Sequence, residues 1–209
     1  MKFAYIALFL VSFQINAQSI GFDTGFSFAS YYYKNSSGSN IDQFIPKIGS
    51  TIGISRYYPL PLINSQIKYG LRYQEMNGNG NKGFLDINYK ASFASLNTSI
   101  EYTLTKKYFS YNCINKFSIN PVVFLGLELG HLITGKQRML SKVYDLRKEK
   151  EFNNFIVGPI LGTGLRLDKQ KNSIFTLDLA LTDFINLYKK GEQLNFRRYY
   201  FTLGFQKKL

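Results

Sequence analysis

The sequence predicts an all-β fold, an eight-stranded antiparallel transmembrane β-barrel, and three observations carry that expectation. Eight segments of alternating polarity follow one another along the chain. In the central band of those segments, charges fall on one face of each strand and leave the other apolar, with Arg197 at a strand edge as the marginal case. An export-type segment stands in front of them.

That leading segment opens on a minimal basic Met1-Lys2 and continues into an apolar run, Phe3 to Phe13. Ile15-Asn16-Ala17-Gln18 then offers a cleavage site after Ala17 or Gln18, so 1–18 reads as a signal peptide and 19–209 as the barrel. The run is too short to span a bilayer, which needs about 20 apolar residues. No Cys follows the cut, which disfavours a lipid anchor. Every later apolar run is interrupted by Gly or polar residues. A chain of this kind crosses a membrane only as a closed barrel.

Composition narrows the class further. The 209 residues fit one domain or two small ones, and 45% hydrophobic with 17% aromatic content excludes a disordered polyelectrolyte. Twenty-six basic residues against 13 acidic ones give a net charge of +13, which points to nucleic acid or anionic lipid. Export removes nucleic acid and leaves outer-membrane lipid and lipopolysaccharide as the anionic neighbours. A single Cys, Cys113, forbids an internal disulfide, and a single His, His131, forbids a His-rich metal site.

Taken in order, Ile20–Ser30 places Ile20, Phe22, Phe26 and Phe28 opposite Gly21, Asp23, Gly25, Ser27 and Ala29. Lys47–Tyr57 sets Ile48, Ile52 and Ile54 against Gly49, Thr51, Gly53 and Ser55. Gln66–Gln74 sets Ile67, Tyr69, Leu71 and Tyr73 against Lys68, Gly70, Arg72 and Gln74. Leu96–Thr105 sets Leu96, Ile100, Tyr102 and Leu104 against Asn97, Ser99, Glu101 and Thr103. Ile119–Leu129 opposes Val123, Leu125, Leu127 and Leu129 to Asn120, Gly126 and Glu128. Phe155–Leu167 opposes Val157, Leu161, Leu165 and Leu167 to Gly158, Gly162, Gly164 and Arg166. Ile174–Thr182 opposes Phe175, Leu177, Leu179 and Leu181 to Thr176, Asp178, Ala180 and Thr182. Arg197–Gln206 opposes Tyr199, Phe201, Leu203 and Phe205 to Arg198, Tyr200, Thr202, Gly204 and Gln206. Each approaches the roughly 9–11 residues that a tilted strand needs to cross a bilayer.

The polar faces carry four acids, Asp23, Glu101, Glu128 and Asp178, and four bases, Lys68, Arg72, Arg166 and Arg198. A solvated face has no reason to balance itself in so basic a chain. An enclosed lumen does, because an unpaired buried charge costs several kcal/mol. That balance favours a barrel with a packed polar plug over a soluble β-sandwich with a charged outer face. With a periplasmic N-terminus, the outer loops fall at 31–46, 75–95, 132–154 and 183–196, and the inner turns at 58–65, 106–118 and 168–173. Asn77-Gly78-Asn79-Gly80-Asn81 reads as a turn cluster.

Four stretches resemble the PorT-like outer-membrane β-barrel family of Gram-negative bacteria. They are Ser99-Ile100-Glu101-Tyr102-Thr103-Leu104 with Lys107-Tyr108, then Asn120-Pro121-Val122-Val123-Phe124-Leu125-Gly126. The others are Ala180-Leu181-Thr182-Asp183-Phe184-Ile185-Asn186 and the aromatic C-terminal strand Tyr199-Tyr200-Phe201-Thr202-Leu203-Gly204-Phe205. Thr103 stands where that family prefers Pro, and the chain ends in Leu209 instead of an aromatic residue. The resemblance implies the fold and an outer-membrane location, with a link to protein secretion for one branch of the family.

No catalytic, metal or cofactor site is expected. His131 points outward, where a lipid-A deacylase would carry a hydroxyl two residues on; here that position is Ile133. Glu101 and Glu128 pair more readily with Arg72, Arg166 and Arg198 than with a substrate. Gly162-Thr163-Gly164 lacks the third Gly and the helix of a dinucleotide site. The most distinctive outer feature is the basic stretch Lys136, Arg138, Lys142, Arg147, Lys148 and Lys150, a candidate contact for lipopolysaccharide phosphates or an acidic partner. Tyr31-Tyr32-Tyr33 is a candidate aromatic girdle or protein interface. The function expected is that of a non-enzymatic structural or interaction subunit bound to a larger outer-membrane protein, in a secretion or assembly complex. A small pore and a lipid-modifying enzyme are the alternatives.

Overall fold

The computed structural model describes residues 19–34, 40–43, 45–60, 64–82, 85–104, 107–111, 115–139, 141–148, 154–169, 173–186 and 193–209. The expected signal peptide, Cys113 and Lys150 lie outside them. In chain order the strands are β1 (Ser19–Lys34), β2 (Asn40–Gln43), β3 (Ile45–Pro59), β4 (Ser65–Lys82), β5 (Leu85–Thr103) and β6 (Lys107–Tyr111). They continue as β7 (Asn115–Met139), β8 (Lys142–Asp145), β9 (Phe155–Lys169), β10 (Ser173–Asn186) and β11 (Gln193–Lys208). Eight of these, β1, β3, β4, β5, β7, β9, β10 and β11, pair antiparallel in sequence order, and β11 returns to β1. The sheet is therefore a closed eight-stranded antiparallel barrel.

Its shape follows from the register. From Ser19 the pairing runs through Tyr57, Lys68, Ser99, Gly126, Ile160, Thr182 and Arg198 and comes back to β1 at Ala29. One circuit thus climbs ten residues along β1. With strands about 4.8 Å apart and about 3.3 Å per residue, the strands tilt about 40° on a backbone radius of about 8 Å. A bore that narrow is filled by its own inward side chains.

The alternation sorts as expected. Phe22, Phe26, Ile52, Ile54, Leu71, Leu96, Ile100, Leu125, Leu161, Leu179 and Leu203 all stand out from the wall. On β7 the outward apolar residues run from Val123 to Ile133, a rise of about 25 Å at this tilt, the height of a lipid-facing band. Only lipid can cover an apolar belt that encircles a closed barrel, so the chain is a transmembrane barrel of the outer-membrane type. The strands stop close to the apolar belt at the β3–β4 and β9–β10 connections and run well past it at the other end, as β4 and β5 do to Lys82 and Leu85, which makes the former the periplasmic end. In the first of these, Asn64 adopts φ 54°, a left-handed conformation that Asn tolerates.

Several expected loops are strand. β4 and β5 stay paired from Glu75↔Ser92 to Lys82↔Leu85, so Asn77–Asn81 is ladder and not a turn cluster. Gly78 is needed there because a Cβ would meet the Tyr31 ring at 2.8 Å. β7 runs to Met139 and folds back on β8, which turns much of 132–154 into a ribbon. In the same way β10 and β11 extend into 183–196, and β6 pairs with the start of β7 across the expected 106–118 turn. The β5–β7 register slips between Ser92 and Phe93, leaving Ile133 as an extra residue on β7. Inward positions on β7 therefore pass from Glu128, Gly130 and Leu132 to Gly135.

Candidate functional site

The sequence assigned eight charged residues to the lumen, and the structure brings all eight inside, each at most 6% exposed. Six form one network near the periplasmic half. Arg72 donates to Asp23 at 3.0 Å, and Lys68 bridges Asp23 at 3.8 Å and Asp178 at 3.4 Å. Arg166 donates to Glu101 at 2.8 Å and also to Asp178. The seventh and eighth, Arg198 and Glu128, make a two-pronged pair, with Thr182 Oγ1 accepting a further bond from Arg198 at 3.3 Å. Paired, hydrogen-bonded charge is what a low-dielectric bore permits.

Neighbours that sequence reasoning did not single out complete the network. The Tyr200 ring lies between two guanidinium groups, Arg72 at 4.7 Å and Arg198 at 4.6 Å. Gln66 donates to Glu101 at 2.8 Å, and Lys68 lies over the Tyr57 ring at 5.6 Å. Gly53 leaves space for a carboxylate, since a Cβ there would sit 2.9 Å from Asp23 Oδ1.

Above this charged layer the lumen becomes apolar. Ala29, Tyr31, Met76, Tyr89, Ala91, Phe93, Leu132, Leu146, Ile156, Phe184 and Phe196 form one buried cluster, with Met139 packed against it. Tyr31 stacks on Tyr89 at 5.6 Å and donates its hydroxyl to Met76 O at 2.7 Å. Phe196 gathers Phe93 at 5.8 Å and Phe184 at 5.1 Å. On β1, β4 and β10 these residues lie further toward the outer end than Asp23, Arg72 and Asp178, so they cap the polar layer. Tyr31 is thus a plug residue and not part of an outward girdle, because alternation from Asp23 and Ser27 keeps it inside. Tyr32 and Tyr33 have backbones paired to Asn195 and Leu194, and their side chains lie outside the described residues.

The basic stretch is displayed on the β7–β8 ribbon, where Lys136, Arg138, Lys142, Arg147 and Lys148 are exposed. Arg147 both donates to Ile133 O at 3.2 Å and engages Asp145. The Arg147 side chain, and then its backbone N–H, hold the Asp145 carboxyl below its usual value of 3.8. Leu146 tucks between them into the plug. His131 is exposed toward lipid, its ring 4.6 Å from its cross-strand partner Phe155.

No family model matches the sequence, and no curated protein does. Among solved structures, the chain is similar to Neisserial surface protein A, at 14% identity over 90% of this chain and 97% of that one, with a TM-score of 0.45. It is also similar to the outer membrane protein OprG from Pseudomonas aeruginosa, at 10% identity over 93% and 97%, TM-score 0.48. A third likeness is to Ail, the attachment invasion locus protein of Yersinia pestis, at 10% identity over 92% and 99%, TM-score 0.36. The closed register and the apolar belt are this chain's own grounds for its fold and membrane setting.

Proposed function

We propose that this outer-membrane barrel is non-enzymatic and works as a structural or interaction subunit of a larger envelope complex, for secretion or assembly, in the manner of the PorT-like family. The observation that carries this reading is the filled lumen. Among the described residues, a paired charge layer under an aromatic cap fills the narrow bore, which argues against a pore. His131 rests on Phe155 with Ile133 two residues on, which argues against a lipid-cleaving site. Among the described residues, what remains free to act is the lipid-facing wall and the exposed β7–β8 ribbon. The partner is a larger outer-membrane protein that meets the ribbon.

The test is extraction of the tagged full-length protein from native membranes in mild detergent. Recovery with a larger outer-membrane protein is expected. The double variant Lys142→Glu/Lys148→Glu should reduce that recovery several-fold while the barrel still shows heat-dependent gel mobility. Substituting these exposed residues leaves Leu146 and the cap intact. Isolation as a lone monomer would overturn the proposal.

A further inference from the structure

A cleft of about 350 Å³ opens on the outside of the barrel at its outer end, lined by Lys47, Asn88, Lys90, Lys136, Arg138 and Val143. Four of those six residues are cations drawn from β3, β5 and β7, and none is a carboxylate. Lys90 stands directly opposite Lys136 in the β5–β7 register, and Asn88 directly opposite Arg138. Like charges face to face across a ladder repel. Among the described residues, no carboxylate lies within ion-pair distance of Lys90, Lys136 or Arg138. Two carboxylates of the same rim are bonded to other groups: Glu75 accepts from Ser50 N at 3.2 Å, and Asp145, although opposite Lys136 in the β7–β8 register, is held by Arg147. Lys47 donates to Asn88 at 3.1 Å, which holds its ammonium at the cleft edge.

Position supplies the second argument. On β3 the exposed Ile48 lies next below Lys47, and on β7 the apolar run ends at Ile133, just below Lys136. The four cations therefore crown the lipid-facing belt at the height of outer-leaflet headgroups, with Val143, 62% exposed, beside them. We propose that this cleft binds the phosphorylated headgroup of an outer-leaflet lipid. A phosphate dianion takes charge-assisted hydrogen bonds from several cations at once and relieves the Lys90–Lys136 repulsion. The lysine stems and Val143 cover the adjoining apolar part of the lipid. The site needs no protein partner, so its test is separate from that of the proposed complex.

The experiment titrates detergent-solubilised full-length protein with diphosphoryl lipid A, with the same lipid dephosphorylated, and with inorganic phosphate. Bound lipid is counted by native mass spectrometry. The double variant Lys90→Ser/Lys136→Ser should weaken binding of the diphosphoryl lipid at least tenfold, whereas Lys207→Ser at the periplasmic end should not. In lipid-free detergent the double variant should melt no lower than the parent, because it removes a repulsion. Unchanged affinity in the double variant, equal binding of the dephosphorylated lipid, or displacement by inorganic phosphate at matching concentration would each overturn the proposal.

Discussion

Replacing Arg166 by Met removes the one side chain that joins Glu101 to Asp178 inside the barrel. The six-membered network then holds three carboxylates against Lys68 and Arg72 alone. Withdrawing one partner from a buried pair costs about 3–5 kcal/mol. Glu101 keeps Gln66 at 2.8 Å and Asp178 keeps Lys68 at 3.4 Å, so the loss belongs at the lower end, about 3 kcal/mol. Asp178→Asn alone leaves an excess of one cation and should cost about 2–3 kcal/mol on the same grounds. The double variant restores two acids against two bases. It should cost about 3 kcal/mol in place of the roughly 5–6 that simple addition gives, a coupling of about 2–3 kcal/mol. Urea titration of the barrel refolded into lipid vesicles, read by the folded and unfolded gel bands, measures all three. A cost below about 1 kcal/mol for Arg166→Met, or strict additivity in the double variant, would refute a paired lumen.

Gly78→Leu would drive a side chain into the Tyr31 ring and should destabilise the barrel by about 1–3 kcal/mol, with the loss seen first as faster amide exchange at the outer ends of β4 and β5. The β7–β8 ribbon should be sensitive to acid through Asp145. Its carboxyl is depressed when folded, so the stabilisation is present above the unfolded value and is lost as pH falls through the folded one. Amide protection factors over 142–148, corrected for the intrinsic exchange rate at each pH, should therefore be steady between about pH 5 and pH 8 and fall below about pH 4. Protection that falls first near neutral pH would exclude this carboxylate as the cause.

The transmembrane part was legible because two physical rules act on every residue there. Alternation has period two, and lipid tolerates no charge, so face and environment are read together in segments such as Phe175–Thr182. The acid–base balance of the inward faces also reflects a local rule, that buried charge must be paired. The strands beyond the membrane obey neither constraint in an obvious way. Asn77–Asn81 has turn composition, yet Gly78 is there to admit Tyr31, a contact between distant segments that no local pattern reveals. The extra residue at Ile133 flips the alternation of β7, so Gly135 and Met139 lose step with Glu128. The aromatic cap was missed for the same reason, since Phe93, Leu132 and Phe196 fall in segments that looked like loops. Lys47 and Lys90 carry no spacing signal toward Lys136, because the three come from separate strands. The one available sign was an outward cation just past each apolar run.

A lumen sealed by paired charge and an aromatic cap leaves the barrel's outer surfaces to do its work. Single-channel recording of the full-length protein reconstituted in planar bilayers tests that most directly. A sealed bore predicts no resolvable conductance steps at any applied voltage that the bilayer withstands, with reconstitution verified by heat-dependent mobility of the recovered protein. Steady, reproducible channel openings would contradict the sealed lumen and the binding role built on it.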